Sequence, residues 1–168
     1  MGTRYPAPGT VAVPARELRA ALLALGDGGG APFSLVEAGD GLGLVAMRKV
    51  MEPATGSGAN RRQVEWTFKI SMRLVPGERE VRALHQHGAV TRAGDPPGRT
   101  VAREQGSGPF FRKHRTWTVE RGPDGRRRRV EEFRLDSRDM KDALRDAVVG
   151  AGWTWRGVGS LRPAGRTG

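Results

Sequence analysis

Regular alternation of apolar and polar residues between positions 64 and 75 is the clearest pattern in the chain. Every even-numbered position is apolar, whereas the odd-numbered positions up to Arg73 are polar. Successive side chains of a strand point to opposite faces, so the pattern predicts a long strand with one buried and one wet face. The rest of the chain must then cover the even-numbered residues, which are Val64, Trp66, Phe68, Ile70, Met72 and Leu74.

Two other stretches have the apolar spacing of short amphipathic helices that lie on a sheet. The first follows Pro14, a residue favoured at the first helical position, and Gly26 is expected to end it. The second follows Ser137, a favourable helix cap, and ends at Gly150. The apolar stripes are Leu18, Ala21, Leu22 and Leu25 in the first helix, and Met140, Ala143, Leu144, Ala147 and Val148 in the second.

Turn-forming residues divide the strand-like stretches into hairpins. Residues 39–41 (Gly-Asp-Gly) join two apolar stretches, and Pro76-Gly77 turns the long strand back on itself. Residues 85–109 show no clear pattern and are interpreted as a long loop.

A further hairpin is expected over residues 115–135, with its turn at residues 123–125 (Pro-Asp-Gly). This register places Glu120 opposite Arg128 on one face. On the other face, four apolar residues are expected to point toward the core: Trp117, Val119, Phe133 and Leu135.

This order of elements predicts an α+β fold. We expect a curved antiparallel sheet or partly closed barrel built from hairpins, with an N-terminal and a C-terminal helix. Trp153 and Trp155 alternate with polar residues in a last short strand, which should help the second helix to cover the long strand. The 168 residues suit one domain, predicted over residues 11–158, with flexible tails at residues 1–10 and 159–168.

The chain carries 29 basic and 18 acidic residues, a net charge of +11 that favours anionic partners such as nucleic acid. Only four of the basic residues are lysines. An arginine-rich composition with 25 glycines is typical of a GC-rich genome. Such a genome accounts for the preference for arginine, but not for the excess of positive charge.

Composition also excludes several classes of protein. Because there is no cysteine, the chain forms no disulfide and no thiolate zinc site. No apolar run approaches the ~20 residues of a transmembrane helix, and the N-terminus lacks the apolar core of a secretion signal. We therefore expect a cytoplasmic protein without a transmembrane segment.

Basic residues concentrate in the last hairpin, where residues 109–134 hold nine arginines or lysines against four acidic residues. Beside a strand that carries Lys69 and Arg73, such a hairpin would follow a phosphate backbone, mainly by electrostatic contacts. The alternative is a solvated edge hairpin whose charges prevent strand addition. The candidate nucleic-acid-binding residues are Arg112, Lys113, Arg115, Arg126, Arg127, Arg128 and Arg129, with Arg61 and Arg62 as weaker candidates.

Glu37 and the glycines at positions 39, 41 and 43 resemble the loop by which S-adenosylmethionine-dependent methyltransferases hold their cofactor. The resemblance implies that residues 33–36 form the preceding strand and that Glu65 binds the ribose. A hairpin turn explains the same glycines, and residues 74–115 lack the helices that this family needs.

His85 and His87 would face the same side of an extended segment, as two metal ligands do. A third ligand, His114 or a carboxylate, is not placed nearby by the sequence. The two histidines therefore do not predict a metal site. From the sequence as a whole, we also predict no cofactor and no catalytic residue.

Residues 80–86 (EVRALHQ) and 142–158 (DALRDAVVGAGWTWRGV) resemble a family of bacterial proteins from GC-rich genomes that has no known activity. The resemblance spans most of residues 11–158 and implies no cofactor or catalytic residue. The sequence thus favours a non-enzymatic binding protein for an anionic partner, nucleic acid or another polyanion, through the basic hairpin. A methyltransferase-like enzyme and a module that docks on acidic lipids or proteins are the alternatives, and the oligomeric state is left open.

Overall fold

The computed structural model describes residues 2–28, 32–39, 41, 43–94, 98–108 and 113–161. They form two helices and nine strands, and the expected α+β class is confirmed. The helices are α1 (Ala15–Asp27) and α2 (Arg138–Gly150). The strands are β1 (Thr3–Arg4), β2 (Ser34–Glu37), β3 (Gly43–Met51), β4 (Arg62–Val75), β5 (Glu80–Ala93), β6 (Arg99–Ser107), β7 (Lys113–Arg121), β8 (Arg127–Asp136) and β9 (Thr154–Val158).

Seven strands form one sheet in the order β1-β9-β5-β4-β3-β2, and β6 also pairs with β5. Residues 80–84 of β5 pair in parallel with β9, whereas residues 86–93 pair antiparallel with β6. The sheet is therefore mostly antiparallel, as expected, with one parallel pair that makes it mixed. Over the described strands it is open, so the partly closed barrel is wrong. The hairpins expected from the sequence pair only strands that are neighbours in the chain. In the structure, the chain passes through α2 and then places β9 beside β5.

Strand β4 confirms the alternation in the sequence. Trp66, Phe68, Ile70, Met72 and Leu74 are buried, and Val64 packs against them while partly exposed. Side chains of both helices belong to the same core, so the helices cover the even-numbered face of β4. The other core members from the two helices and from the segment at β9 are Leu18, Leu22, Met140, Leu144, Val148, Trp153 (just before β9) and Trp155.

Helix α1 differs from the prediction at two positions. Ala21 is exposed, although Leu18 and Leu22 beside it are fully buried. The helix continues through Gly26 to Asp27 instead of ending there. A Cβ at Gly26 would lie 2.7 Å from the Cβ of Leu35. Glycine at this position therefore lets the last turn of α1 pack directly on β2.

Asp136, the last residue of β8, rather than Ser137 alone, organises the start of α2. Its Oδ1 accepts hydrogen bonds from the backbone N–H (3.0 Å) and the Nε (3.1 Å) of Arg138. Its Oδ2 accepts a further bond from Arg138 Nη2 at 2.9 Å. A carboxylate at a helix N-terminus satisfies a free N–H group and complements the helix dipole.

Residues 85–109 are not the long loop expected from the sequence. β5 continues without interruption to Ala93, and β6 returns from Arg99 to Ser107. In the N-terminal segment expected to be flexible, Thr3–Arg4 form β1 and pair with β9. No helix within the described residues is long and apolar enough to cross a membrane.

Candidate nucleic-acid interface

β7 and β8 form a two-stranded sheet of their own, called here the basic hairpin. The predicted turn is confirmed, because the N–H of Gly122 donates to the carbonyl of Arg126 (2.8 Å). Gly125 has a φ of +75°, a conformation that glycine adopts without strain. Glu120 lies opposite Arg128, also as predicted.

The register shifts between Thr116 and Trp117, which the sequence did not indicate. Trp117 lies opposite Glu131, but Thr116 lies opposite Phe133, so one residue of β8 has no partner across the ladder. The unbroken register expected over residues 115–135 is therefore wrong on the N-terminal side of Trp117.

Trp117 and Val119 do not point into a core. Trp117 is 44% exposed and Val119 is 62% exposed, which corrects the expectation that these two residues point toward the core. The side chains of Phe133 and Leu135 lie outside the described part of the hairpin. The guanidinium of Arg129 lies 5.9 Å from the centroid of the Trp117 ring, within the range of a cation–π contact. The hairpin therefore displays an indole next to a positive charge.

The exposed residues of β7 at odd positions place positive charge on both sides of this indole along the strand, while Glu131 lies opposite it on β8. At alternate positions of β7, Lys113 and Arg115 precede Trp117 and Val119, and Arg121 follows them; all five are exposed. Across the ladder, Arg127 and Arg129 pair with Arg121 and Val119, so their side chains lie on the same face. The structure thus groups on one surface the residues Lys113, Arg115, Trp117, Val119, Arg121, Arg127 and Arg129, which we call the indole face.

The remaining predicted arginines occupy different positions. Arg126 and Arg128 are exposed at the turn, and Arg128 pairs with Asp124 at 3.5 Å. Arg112 lies outside the described residues. Arg61 and Arg62 are partly buried at the start of β4, in the seven-stranded sheet, and Arg62 Nη1 donates to the carbonyl of Ala59 at 2.9 Å.

Lys69 and Arg73 lie on the odd-numbered face of β4, opposite the face that packs against the helices; we call it the outer face. A second group of charged residues, which the sequence did not indicate, lies at one end of it. There Arg73, Arg82 and Arg156 come from three adjacent strands. No local spacing reveals this group, because β9 joins β5 only through the fold.

The glycine-rich segment near Glu37 connects a hairpin. Gly43 is the first residue of β3, which runs antiparallel to β2, and no helix follows it. A Cβ on Gly43 would overlap the carbonyl oxygen of Met72, so this glycine permits close contact between β3 and β4. Glu37 forms an ion pair with Arg19 at 3.5 Å. Asp40 and Leu42 lie outside the described residues.

His85 and His87 share the face of β5 that packs toward the helices. The His85 ring meets Trp155 edge to face, with 6.2 Å between ring centroids. Burial and the nearby charge of Lys141 lower the pKa of His85 to about 4. Among the described residues, no group of three or more histidine, cysteine or acidic side chains is arranged to hold a metal ion.

No protein-family model, no curated protein and no solved structure matches the chain. The resemblance to bacterial proteins from GC-rich genomes therefore stays a prediction.

Proposed function

We propose that this protein is a non-enzymatic binding protein whose partner is nucleic acid, held by the basic hairpin. The observation that carries the proposal is the indole face, where exposed Trp117 stands among exposed arginines and a lysine. The cytoplasmic location expected from the sequence would give such a protein access to its partner.

Two contributions to the affinity for nucleic acid act together on such a face. Arginine and lysine neutralise phosphates and release counterions, which gives affinity that falls steeply with salt. An exposed indole adds stacking on an unpaired base, worth about 1–3 kcal/mol per base. Because bases in a duplex are already stacked, the combination favours single-stranded nucleic acid over a duplex.

The competing explanation is that the charges only protect the hairpin from pairing with other strands. That explanation accounts for the arginines, but not for Trp117 and Val119 in the middle of the same surface. Burying an exposed indole and a valine is favourable, so their display is expected at a binding surface.

The test measures binding of fluorescently labelled single-stranded DNA, single-stranded RNA and duplex DNA by anisotropy at two salt concentrations. The variant replaces Arg126, Arg127, Arg128 and Arg129 with serine. We expect binding to single strands at low salt and a loss of at least tenfold in the variant. The slope of log affinity against log salt should fall by roughly 0.7 for each phosphate contact removed.

A matched control removes the same amount of charge elsewhere, from the exposed residues Arg4, Arg16, Arg79 and Arg103. If binding follows net charge alone, both variants lose the same affinity and the assignment to the hairpin is wrong. Sedimentation with acidic liposomes is the second control. Binding to liposomes without binding to any nucleic acid would assign the hairpin to a membrane surface instead.

A further inference from the structure

Gly88 lies in the interior of β5, between two paired strands. On the outer face of the sheet, it lies opposite Thr67 of β4 and Gln105 of β6. Along β5, the nearest residues on the same face are Gln86 and Val90. The position at the centre of this group has no side chain, which leaves a gap in the outer face that we call the glycine notch.

The notch has room for one small ring. Neighbouring strands lie about 4.8 Å apart, so about 10 Å separates the Cα atoms of Thr67 and Gln105, and about 13 Å separates those of Gln86 and Val90. The cavity at this place has a volume of about 480 Å³, within the range of small-molecule sites in proteins. A sugar or a nucleobase therefore fits over Gly88.

Hydrogen-bond donors from three strands line one end of the cavity. Lys69, Gln86 and Ser107 lie in a single row across β4, β5 and β6. The ammonium, the amide and the hydroxyl of these side chains all donate hydrogen bonds. This row is therefore suited to an anion.

Val90 and Arg103 lie at the other end of the cavity. Glu104 also lines it, but this residue follows Arg103 in β6, so its side chain points to the opposite face of the sheet. Glu65 lies opposite Val90 and does not line the cavity. Among the described residues of the lining, Lys69 and Arg103 are the charged ones on the outer face, so the cavity carries excess positive charge.

We propose that the glycine notch binds a small phosphate ester, with its phosphate on the row of Lys69, Gln86 and Ser107 and its ring over Gly88. Glycine inside a strand costs stability and often marks a place where a ligand approaches the backbone closely. A phosphate accepts hydrogen bonds from all three donors, and the charge of the ammonium strengthens its own bond. The amide of Gln105 both donates and accepts, which suits the hydroxyls of a sugar or the edge of a nucleobase.

Crowding between β5 and β6 is the simpler reason for a glycine at position 88. A Cβ there would lie 3.3 Å from the carbonyl oxygen of Glu104, a close contact. Crowding accounts for the glycine, but not for the row of donors beside it. The two explanations therefore differ in whether the folded protein binds a ligand that responds to substitution of Lys69.

The experiment is calorimetric titration of the full chain at fixed ionic strength. The probes are glucose 6-phosphate and adenosine 5′-monophosphate, each compared with its phosphate-free form and with inorganic phosphate. We expect saturable binding of at least one ester, and binding at least tenfold weaker for its phosphate-free form and for inorganic phosphate. The two esters distinguish a sugar from a nucleobase over Gly88.

Two substitutions test the two halves of the site. Lys69→Gln removes the charge from the phosphate row and should weaken binding of the ester at least tenfold. Gly88→Ala places a methyl group where the ring would lie and should weaken binding as strongly. Because crowding in Gly88→Ala can also lower Tm, Lys69→Gln is the cleaner variant, and thermal unfolding without ligand checks that both variants are folded.

Lys49→Gln is the matched control, since Lys49 lies opposite Thr67 on β3, is exposed and does not line the cavity. It should bind like the wild type. Absence of saturable binding of both esters would overturn the proposal, as would equal losses in Lys69→Gln and Lys49→Gln, or inorganic phosphate that binds as tightly as the esters.

The proposal is independent of the basic hairpin, because the notch lies in the seven-stranded sheet. The variant with serine at positions 126–129 should therefore keep the wild-type affinity for the ester. Binding that is lost in this variant but kept in Lys69→Gln would place the ligand on the hairpin and overturn the notch.

Discussion

The seven-stranded sheet and the basic hairpin start from the same kind of sequence pattern and use it in opposite ways. In β4, alternation places Trp66 and Phe68 in the core. In β7, alternation places Trp117 and Val119 at the surface, where they are exposed among arginines. The two strands differ in whether their apolar face is covered. Helices α1 and α2 contribute side chains to the core on one face of the large sheet, so the apolar face of β4 is covered.

Alternation therefore determines which residues share a face, but not whether that face is covered. A two-stranded ribbon is marginally stable in water, so it gains little from apolar residues that remain exposed. The exposure of Trp117 and Val119 is what the proposed nucleic-acid-binding surface requires. The base of the hairpin is held to the large sheet by Arg48 on β3, whose Nη1 donates to the carbonyl of Asp136 at 3.3 Å.

The largest expected contrast is between two tryptophan substitutions. Trp155→Ala should reduce the free energy of unfolding by about 3–5 kcal/mol, because Trp155 is 1% exposed and its loss leaves a cavity. Trp117→Ala should cost less than about 1 kcal/mol, as expected for an exposed residue. Urea unfolding measures both, with the slope m as a check that the transition stays two-state. Equal losses in the two variants would show that the hairpin is part of the core.

A smaller effect concerns pH and belongs to the covered sheet alone. The pKa of His85 is lowered to about 4 in the folded chain, whereas an unfolded histidine titrates near 6.5. The unfolded state then binds more protons between these values, so stability is complete above pH 6.5 and is lost as the pH falls toward 4. Urea unfolding at pH 8 and pH 5 should differ by about 2 kcal/mol from this group.

The His85→Gln variant should lose most of this difference, while Trp117→Ala should keep it. An unchanged pH dependence in His85→Gln would show that the histidine is accessible to water in the folded state.

The smallest expected effect lies at the junction of the two regions, where β8 ends and α2 begins. Bonds from Arg138 lower the pKa of Asp136 to about 2. The stabilising contribution of Asp136 is therefore present above its unfolded value near 4 and is lost as the pH falls through 2. Asp136→Asn should cost about 1 kcal/mol at pH 7, typical of a lost helix cap.

This difference between Asp136→Asn and the wild type should disappear near pH 2, as followed by thermal unfolding. Asp146→Asn, an exposed position late in α2, is the matched control and should not reproduce it. A difference that persists at pH 2 would mean that Asp136 acts through packing rather than charge.

Local patterns predicted the elements that can be recognised from the spacing of residues within one short stretch of the chain. The length of the alternation made β4 clear, and the spacing of Met140, Leu144 and Val148 made α2 clear. β6 and the second half of β5 were missed because they hold few large apolar residues and one glycine each, Gly106 and Gly88. One of these, Gly106, has no room for a side chain, since a Cβ there would lie 2.5 Å from the His87 ring.

Two charged groups of the molecule differ in how much the sequence revealed. The arginines of the basic hairpin were predicted because they are adjacent in the chain, but the exposure of Trp117 was not. The charged group of Arg82, Arg156 and Glu80 was missed because Arg156 reaches Glu80 through the parallel pairing of β9 with β5. In the sequence, only the i, i+2 spacing of Glu80 and Arg82 is visible, and that spacing is common in strands.

Strands β6 and β9 pair with different parts of the same edge of β5, and the two pairs can form at different times during synthesis of the chain. During translation, β5 and its antiparallel partner β6 are synthesised before β9. Residues 80–84 therefore lack their parallel partner at first. Trp155 on β9 and Trp153 just before it belong to the core, so the core is incomplete until this segment joins the sheet. Pairing across such a long separation is slow, so we expect β9 to join β5 late in folding.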